Sequence, residues 1–129
     1  MLNSFQEIFD AVVTHARKQK KRCLYNDKCM YRDPEDSFVK CFIGALIPDT
    51  KYDKKIENIS VSGLLSPEFI DLWKGVLLKS LLEDKIKLSV FLAKLQKIHD
   101  DHYVMNWDRA FSKLAKDYNL VYTRQPIGI

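Results

Sequence analysis

Cysteine and histidine are the residue types best suited to hold a metal, and this chain contains three of each. Zinc accepts thiolate and imidazole ligands, which makes Cys29, Cys41, His99 and His102 the candidate set. Structural zinc sites usually take cysteines in pairs roughly two to four residues apart, and the cysteines here are spaced more widely. We therefore predict no cofactor, and cysteines that pack as small hydrophobic side chains.

The same residues could instead form a thiol enzyme. Cys41 is predicted to lie at the N-terminus of a short helix, where the dipole lowers the pKa of a thiol, and His99 with Asp100 would supply a base and its orienting acid. Nothing local in the sequence enforces this pairing, and no oxyanion donors can be identified. Acids such as Asp49 and Asp53 are typical of caps and turns. We assign no catalytic residue and lean against an enzyme.

A run of basic residues ends the first predicted helix. Residues 1–32 carry seven Lys or Arg against three Asp or Glu, whereas residues 33–129 carry fourteen of each, so the net charge of +4 lies near the N-terminus. The basic run consists of Arg17, Lys18, Lys20, Lys21 and Arg22. It leads into tyrosines, as in surfaces that stack nucleic-acid bases. Basic residues in the last turn of a helix also complement its dipole while staying solvated.

Several further polar residues are expected to meet in one cluster. Its predicted members are His15, Tyr31, Arg32, Cys41, Asp49, His99 and Asp100. Within it, Arg32 would be the natural clamp for an anion, because its planar guanidinium matches a carboxylate or a phosphate. A buried hydrogen-bonded network with a purely structural role explains the same residues.

Helical periodicity and capping signals predict the elements that position these side chains. Ser4 with Glu7 forms a capping box, and Ser66-Pro67-Glu68 is a strong start signal. The predicted helices cover about residues 4–20, 42–47, 69–81, 85–98 and 107–118. The short connection between the third and the fourth predicts an antiparallel helix pair.

A β-hairpin is predicted between the first two helices. Its strands would be Cys29–Arg32 and Phe38–Cys41, because both segments are rich in aromatic and strand-favouring residues, and Pro34 presets a turn between them. A two-stranded hairpin is not stable alone, so it must lie against helices. Gly44, in the helix that follows, is expected to allow a close approach by another backbone segment.

Together these elements predict an α+β fold, mainly helical, with about five helices packed around one short β-hairpin. We expect a single domain over residues 1–129 with a short tail from about residue 120. The predicted core is Phe5, Phe9, Val13, Leu46, Ile47, Leu72, Trp73, Val76, Leu92, Leu95, Phe111 and Leu114. No apolar run is long enough to span a bilayer and no secretory signal is visible, which predicts a cytoplasmic protein without a membrane partner.

A set of short motifs lies between residues 29 and 100. It reads Cys29-x-Tyr31-Arg32, Lys40-Cys41-x-x-Gly44-x-Leu46-Ile47-Pro48-Asp49, Tyr52-Asp53 and His99-Asp100. In this pattern the chain resembles a family of small, largely uncharacterised proteins encoded by bacteria and their phages. The resemblance implies a phage or bacterial origin and, by context, a protein that blocks a host defence or redirects host machinery.

These features favour a non-enzymatic binding or inhibitory module. The predicted polar cluster does not contain a complete set of catalytic residues, which makes binding the preferred role. The expected partner is a protein or a small anionic ligand. A nucleic-acid-binding accessory protein that uses the segment 17–32 is one alternative. A small Cys/His metal-binding protein or thiol enzyme is the other.

Overall fold

The computed structural model describes residues 1–128 and shows a mainly helical α+β fold, which confirms the predicted fold class. The α-helices, in chain order, are α1 (Phe5–Gln19), α2 (Phe42–Leu46), α3 (Val61–Leu64), α4 (Lys79–Glu83), α5 (Lys85–Asp101) and α6 (Trp107–Asp117). Short 3-10 turns at Lys54–Ile56, Ile70–Trp73 and Val104–Asn106 connect them. Ser4 caps α1 and Asp84 caps α5, as their side chains accept from the backbone N–H groups of Glu7 and Lys87.

The β-hairpin lies earlier in the chain than predicted. Strands β1 (Leu24–Tyr25) and β2 (Lys28–Cys29) pair antiparallel around Asn26 and Asp27, whose φ angles are 51° and 63°. A two-residue hairpin turn favours positive φ at both central residues, and Asn and Asp tolerate it better than most residues. Between the predicted strands the pairing is reduced to an isolated antiparallel bridge of Arg32 with Lys40.

The predicted helix over 69–81 is wrong, and so is its antiparallel pairing with α5. A 3-10 turn at Ile70–Trp73 is followed by Gly75 with φ +80°, which an α-helix does not accommodate. The backbone of this segment pairs with Leu2 instead of forming a helix. Leu2 N–H donates to the Val76 carbonyl, and Leu78 N–H donates to the Leu2 carbonyl, each at 2.8 Å.

The core forms where α1, α2, α5 and α6 meet. Phe42 of α2 lies at its centre, with its ring edge-on to Trp107 and stacked on Phe111. The predicted core residues are buried except Phe5, which is partly exposed and stacks on Phe91 at 4.3 Å. Gly44 packs as predicted, since a Cβ placed there would lie 2.0 Å from the Tyr31 carbonyl oxygen.

The C-terminal segment is attached to the body of the fold. Asp108, buried in α6, accepts hydrogen bonds from Tyr122 Oη, Arg124 Nε and Gln125 N–H at 2.6 to 2.8 Å. Ile127 is buried among the core residues. Much of the predicted tail is therefore packed against α6; its last residue, Ile129, lies outside the described residues.

Among the described residues, no helix combines the length and the apolar character needed to cross a bilayer.

Candidate binding site

His99 is fully buried near the C-terminal end of α5, and both of its ring nitrogens have partners. Cys23 N–H donates to Nε2 at 2.9 Å, and Nδ1 lies 2.8 Å from a carboxylate oxygen of Asp100. Because Nε2 accepts, the proton is on Nδ1 and is donated to Asp100. The ring also stacks on Trp107, with centroids 5.9 Å apart. His99 therefore joins α5 to the residue before the hairpin.

Asp100 collects donors from three side chains. His99 Nδ1 and Gln96 Nε2 donate to the same carboxylate oxygen, and the Cys29 thiol is a further donor. Burial alone would raise the pKa of Asp100, but these hydrogen bonds outweigh it, so the pKa is lowered. Burial, and then the Asp100 carboxylate, raise the pKa of Cys29 to about 11. The cluster is a carboxylate with neutral donors around it.

The donor atoms of Cys29, His99 and Asp100 lie within 4.8 Å of one another, close enough for a metal ion to reach all three. The hydrogen bonds oppose that use. A metal on Nδ1 of His99 requires the proton to move to Nε2, where it would face the N–H of Cys23. Of the other predicted ligands, Cys41 is outside this trio and His102 is exposed.

The prediction that helix α2 lowers the pKa of Cys41 is wrong. The side chain caps the helix, since Sγ accepts from Gly44 N–H at 3.3 Å, but it is fully buried. Burial raises the pKa of this thiol well above its usual range, and the hydrogen bond from Gly44 offsets little of the change. The proposed base, His99, already uses both nitrogens. These residues do not form a nucleophile–base pair.

Arg32 and Asp49 meet in a second group on another side of α2. The Arg32 side chain is 6% exposed, and its guanidinium pairs with Asp49 at 2.9 Å, donates to the Ile47 carbonyl at 2.7 Å and stacks over Tyr52 at 4.4 Å. Glu57 accepts from the backbone N–H groups of Tyr31 and Arg32 and from Tyr52 Oη. Two nitrogens of the guanidinium predicted to hold an anion, Nη1 and Nη2, are thus paired with this chain's own acceptors, whereas Nε is buried without a partner among the described residues.

His15 is separate from both groups. Its Nε2–H donates to the Lys40 carbonyl at 3.0 Å, and burial lowers its pKa. Tyr31 is buried, with its hydroxyl bonded to the Ile59 carbonyl. The seven residues predicted to share one cluster therefore form a His99–Asp100 group, an Arg32–Asp49 group and individual structural contacts.

The arginines and the lysines of the basic run have different environments. Arg17 donates to the Thr123 carbonyl at 2.7 Å and lies over the Tyr122 ring, and Arg22 donates to the carbonyls of His99 and Asp100 at the end of α5. The lysines at positions 18, 20 and 21 remain exposed. Of the predicted basic and aromatic surface, Arg17 and Arg22 are used internally and Tyr31 is buried, whereas Lys28 is exposed like the three lysines of the run and Tyr25 is half-buried.

A groove between α5 and α6 gathers four exposed basic side chains. It has a volume of about 640 Å³ and is called the basic groove below. Its lining includes Lys94, Lys97, Arg109 and Lys113, with Asp117 as the acid. The side chain of Arg109 is exposed and makes no hydrogen bond or ion pair with any residue from 1 to 128. No sequence motif pointed to this groove.

Sequence reasoning also missed Gln96 and Glu57, which connect these groups. Gln96 accepts from Ile43 N–H at 3.1 Å and donates to Asp100, so it joins α2 to α5. Its signal was present: with His99, it is one of two polar residues on the mainly apolar buried stripe of α5. A polar residue at such a position requires an internal partner.

No protein-family model, no characterised protein and no solved structure matches the chain.

Proposed function

We propose that this protein is a non-enzymatic binding module that recognises an acidic partner protein through the basic groove. The observation that carries the proposal is the contrast between two sets of charged side chains. Arg32, His99 and Asp100, the candidates for chemistry, are occupied by internal hydrogen bonds. The cations of the basic groove face solvent over an apolar floor.

Such a groove suits recognition better than catalysis. Ligand sites combine an apolar surface with a few convergent polar groups, and four cations around one cavity attract an anionic partner. Among residues 1–128, the lining of the groove includes no buried acid or nucleophile that could serve a reaction. Two ion pairs involve lysines of the groove: Lys97 with Asp101 at 4.0 Å and Lys113 with Asp117 at 3.3 Å. Both pairs are exposed, so replacing their acids with those of a partner costs little free energy.

The resemblance to small phage and bacterial proteins gives the proposal its biological setting. A partner in a bacterial cytoplasm, belonging either to a defence system or to another part of the host machinery, fits a small chain that binds without reacting. The proposal does not use the basic run at residues 17–22, because two of its arginines are engaged internally.

Affinity capture from nuclease-treated bacterial lysate tests the proposal. Wild type is compared with Lys97→Glu/Arg109→Glu and with Lys18→Glu/Lys20→Glu, an exposed pair that changes the net charge equally. We expect one protein, identified by mass spectrometry, to be retained by wild type and the control, lost from the groove variant and released by salt. Identical capture by all three proteins contradicts the proposal.

A further inference from the structure

The basic groove lies between two antiparallel helices, which sets its length. The start of α6 lies beside the end of α5, as Trp107 Nε1 donates to the His102 carbonyl at 3.3 Å. At the other end, Lys94 Nζ lies 5.1 Å from the centre of the Tyr118 ring. Between these ends the α5 wall runs from Lys94 to His102, which is about 12 Å at the helical rise and matches roughly two turns of a third helix.

The two walls are both basic. Lys94 and Lys97 belong to α5, and Arg109 and Lys113 belong to α6. With Asp117 as the acid in the lining, the groove carries three net positive charges. An occupant should therefore present acidic side chains along both of its flanks.

The floor between the walls is apolar. Ile98, Ala110 and Leu114 form it; Ile98 and Leu114 are each only 6% exposed, so the half-buried Ala110 is the residue of the floor that an incoming side chain can contact most directly. A ligand that contacts only the walls leaves this surface in water. A ligand with an apolar ridge between acidic flanks covers it, and one face of an amphipathic helix has this shape.

We infer that the basic groove binds an acidic amphipathic helix of a partner protein, which lies between α5 and α6 with its apolar ridge on Ala110. The inference rests on the proposed function and names the kind of segment recognised. A nucleic-acid strand fits less well, because its phosphates need no apolar floor and, among the described residues, the lining contains no Phe, Tyr or Trp ring for base stacking. A second copy also fits less well, because α1 is neutral and α5 and α6 carry net positive charge.

The test uses a fluorescently labelled peptide of about 15 residues, long enough to form a helix, with leucines at helical spacing between flanking glutamates. A scrambled peptide of the same composition and a single-stranded oligonucleotide are the comparison probes. Binding is measured by anisotropy for wild type and three variants. The variants are Lys97→Glu/Arg109→Glu, Ala110→Phe, which fills the floor without changing charge, and Lys18→Glu/Lys20→Glu as the control.

We expect wild type and the control to bind the helical peptide about tenfold more tightly than the scrambled peptide, and each groove variant to lose about tenfold in affinity. Thermal unfolding checks that each variant is folded, and the charge-reversal variant decides the outcome if Ala110→Phe is not. If both peptides bind with equal affinity and both lose affinity in the groove variants, the helix inference is overturned, but the proposal of an acidic partner stands. Preference for the oligonucleotide, or binding that ignores the groove variants, overturns the inference together with the proposed function.

Discussion

Cys23 N–H donates to Nε2 of His99 at 2.9 Å, and this contact determines which ring nitrogen carries the proton. The proton on Nδ1 then points at Asp100. A zinc ion bound to Nδ1 would require two N–H groups, at Nε2 and Cys23, to face each other in a buried site. We therefore predict that the Cys29, His99 and Asp100 trio takes up no stoichiometric zinc.

Elemental analysis after dialysis against zinc, with no chelator during purification, measures this directly. Cys29→Ser is the comparison variant, because it removes the thiolate ligand while keeping a hydroxyl that can donate to Asp100. One zinc per chain in wild type, absent from Cys29→Ser, would show that the hydrogen bonds rearrange and that the trio is a metal site.

The three thiols should alkylate slowly at neutral pH and in a defined order. Burial raises the pKa of Cys23 to about 12 and that of Cys29 to about 11, and Cys41 is shifted in the same direction. Cys29 is half-buried and the other two are fully buried, so Cys29 should react first. Mass spectrometry of peptides after timed iodoacetamide treatment gives the order. Fastest labelling at Cys41 would restore the thiol-enzyme hypothesis.

Arg32→Ala should reduce the free energy of unfolding by about 2–4 kcal/mol, because the Ile47 carbonyl loses its donor and Tyr52 loses its stacked guanidinium. Asp49→Asn should cost less than about 1 kcal/mol, since the Asp49 side chain is 81% exposed. Arg109→Ala, an exposed arginine, is the matched control and should change stability little. Urea unfolding measures all three. A cost for Arg32→Ala no greater than for Arg109→Ala would show that the Arg32 contacts are not stabilising.

Acid should loosen the C-terminal segment through Asp108. Burial alone raises the pKa of this carboxyl, but the hydrogen bonds from Tyr122, Gln125 N–H and Arg124 outweigh burial, so the folded-state pKa lies below the unfolded value. The resulting stability is complete above the unfolded pKa of about 4 and is lost as the pH falls through the lowered folded value. The free energy of unfolding should therefore fall as the pH is lowered from 5. Urea unfolding at each pH measures it.

Asp108→Asn should lower stability at pH 7 by about 1–3 kcal/mol, because three donors lose a charged acceptor, and should make the acid-induced loss smaller. Asp117→Asn, on the exposed side of α6, is the control. Some acid sensitivity should persist in Asp108→Asn, because the pKa of Asp100 is also lowered. An unchanged pH profile in Asp108→Asn would assign the effect to other carboxyl groups.

The parts of the fold that sequence predicted are those with local causes. Ser4 caps α1 through a contact three residues away, as its capping box predicts, and apolar stripes identify the buried faces. The predicted helix over 69–81 failed in a segment of tight turns, which the apolar stripe did not indicate. Gly75 with φ +80° ends what reads as a continuous helical stripe, because the residues around it stay buried without the helix.

The candidate site could not be predicted in the same way, because its contacts join distant residues. His99 meets Cys23 across 76 positions and Gln96 meets Ile43 across 53. Residue type indicated that His99 and Arg32 need partners, but not which ones. The basic groove gave less signal still, since lysines on two separate helices resemble ordinary solvated faces until the helices pack together.

The ties between the two ends of the chain have a kinetic consequence. Gln6 and Arg17 of α1 hold the backbone of Val121 and Thr123, and these contacts enclose loops of 115 and 106 residues. Closing such long loops lowers the conformational entropy of the chain before the contacts can compensate. Most of the helical core must therefore form before the two ends of the chain can pair. We expect refolding to finish with this closure, more slowly than in a helical bundle of the same length whose contacts are local.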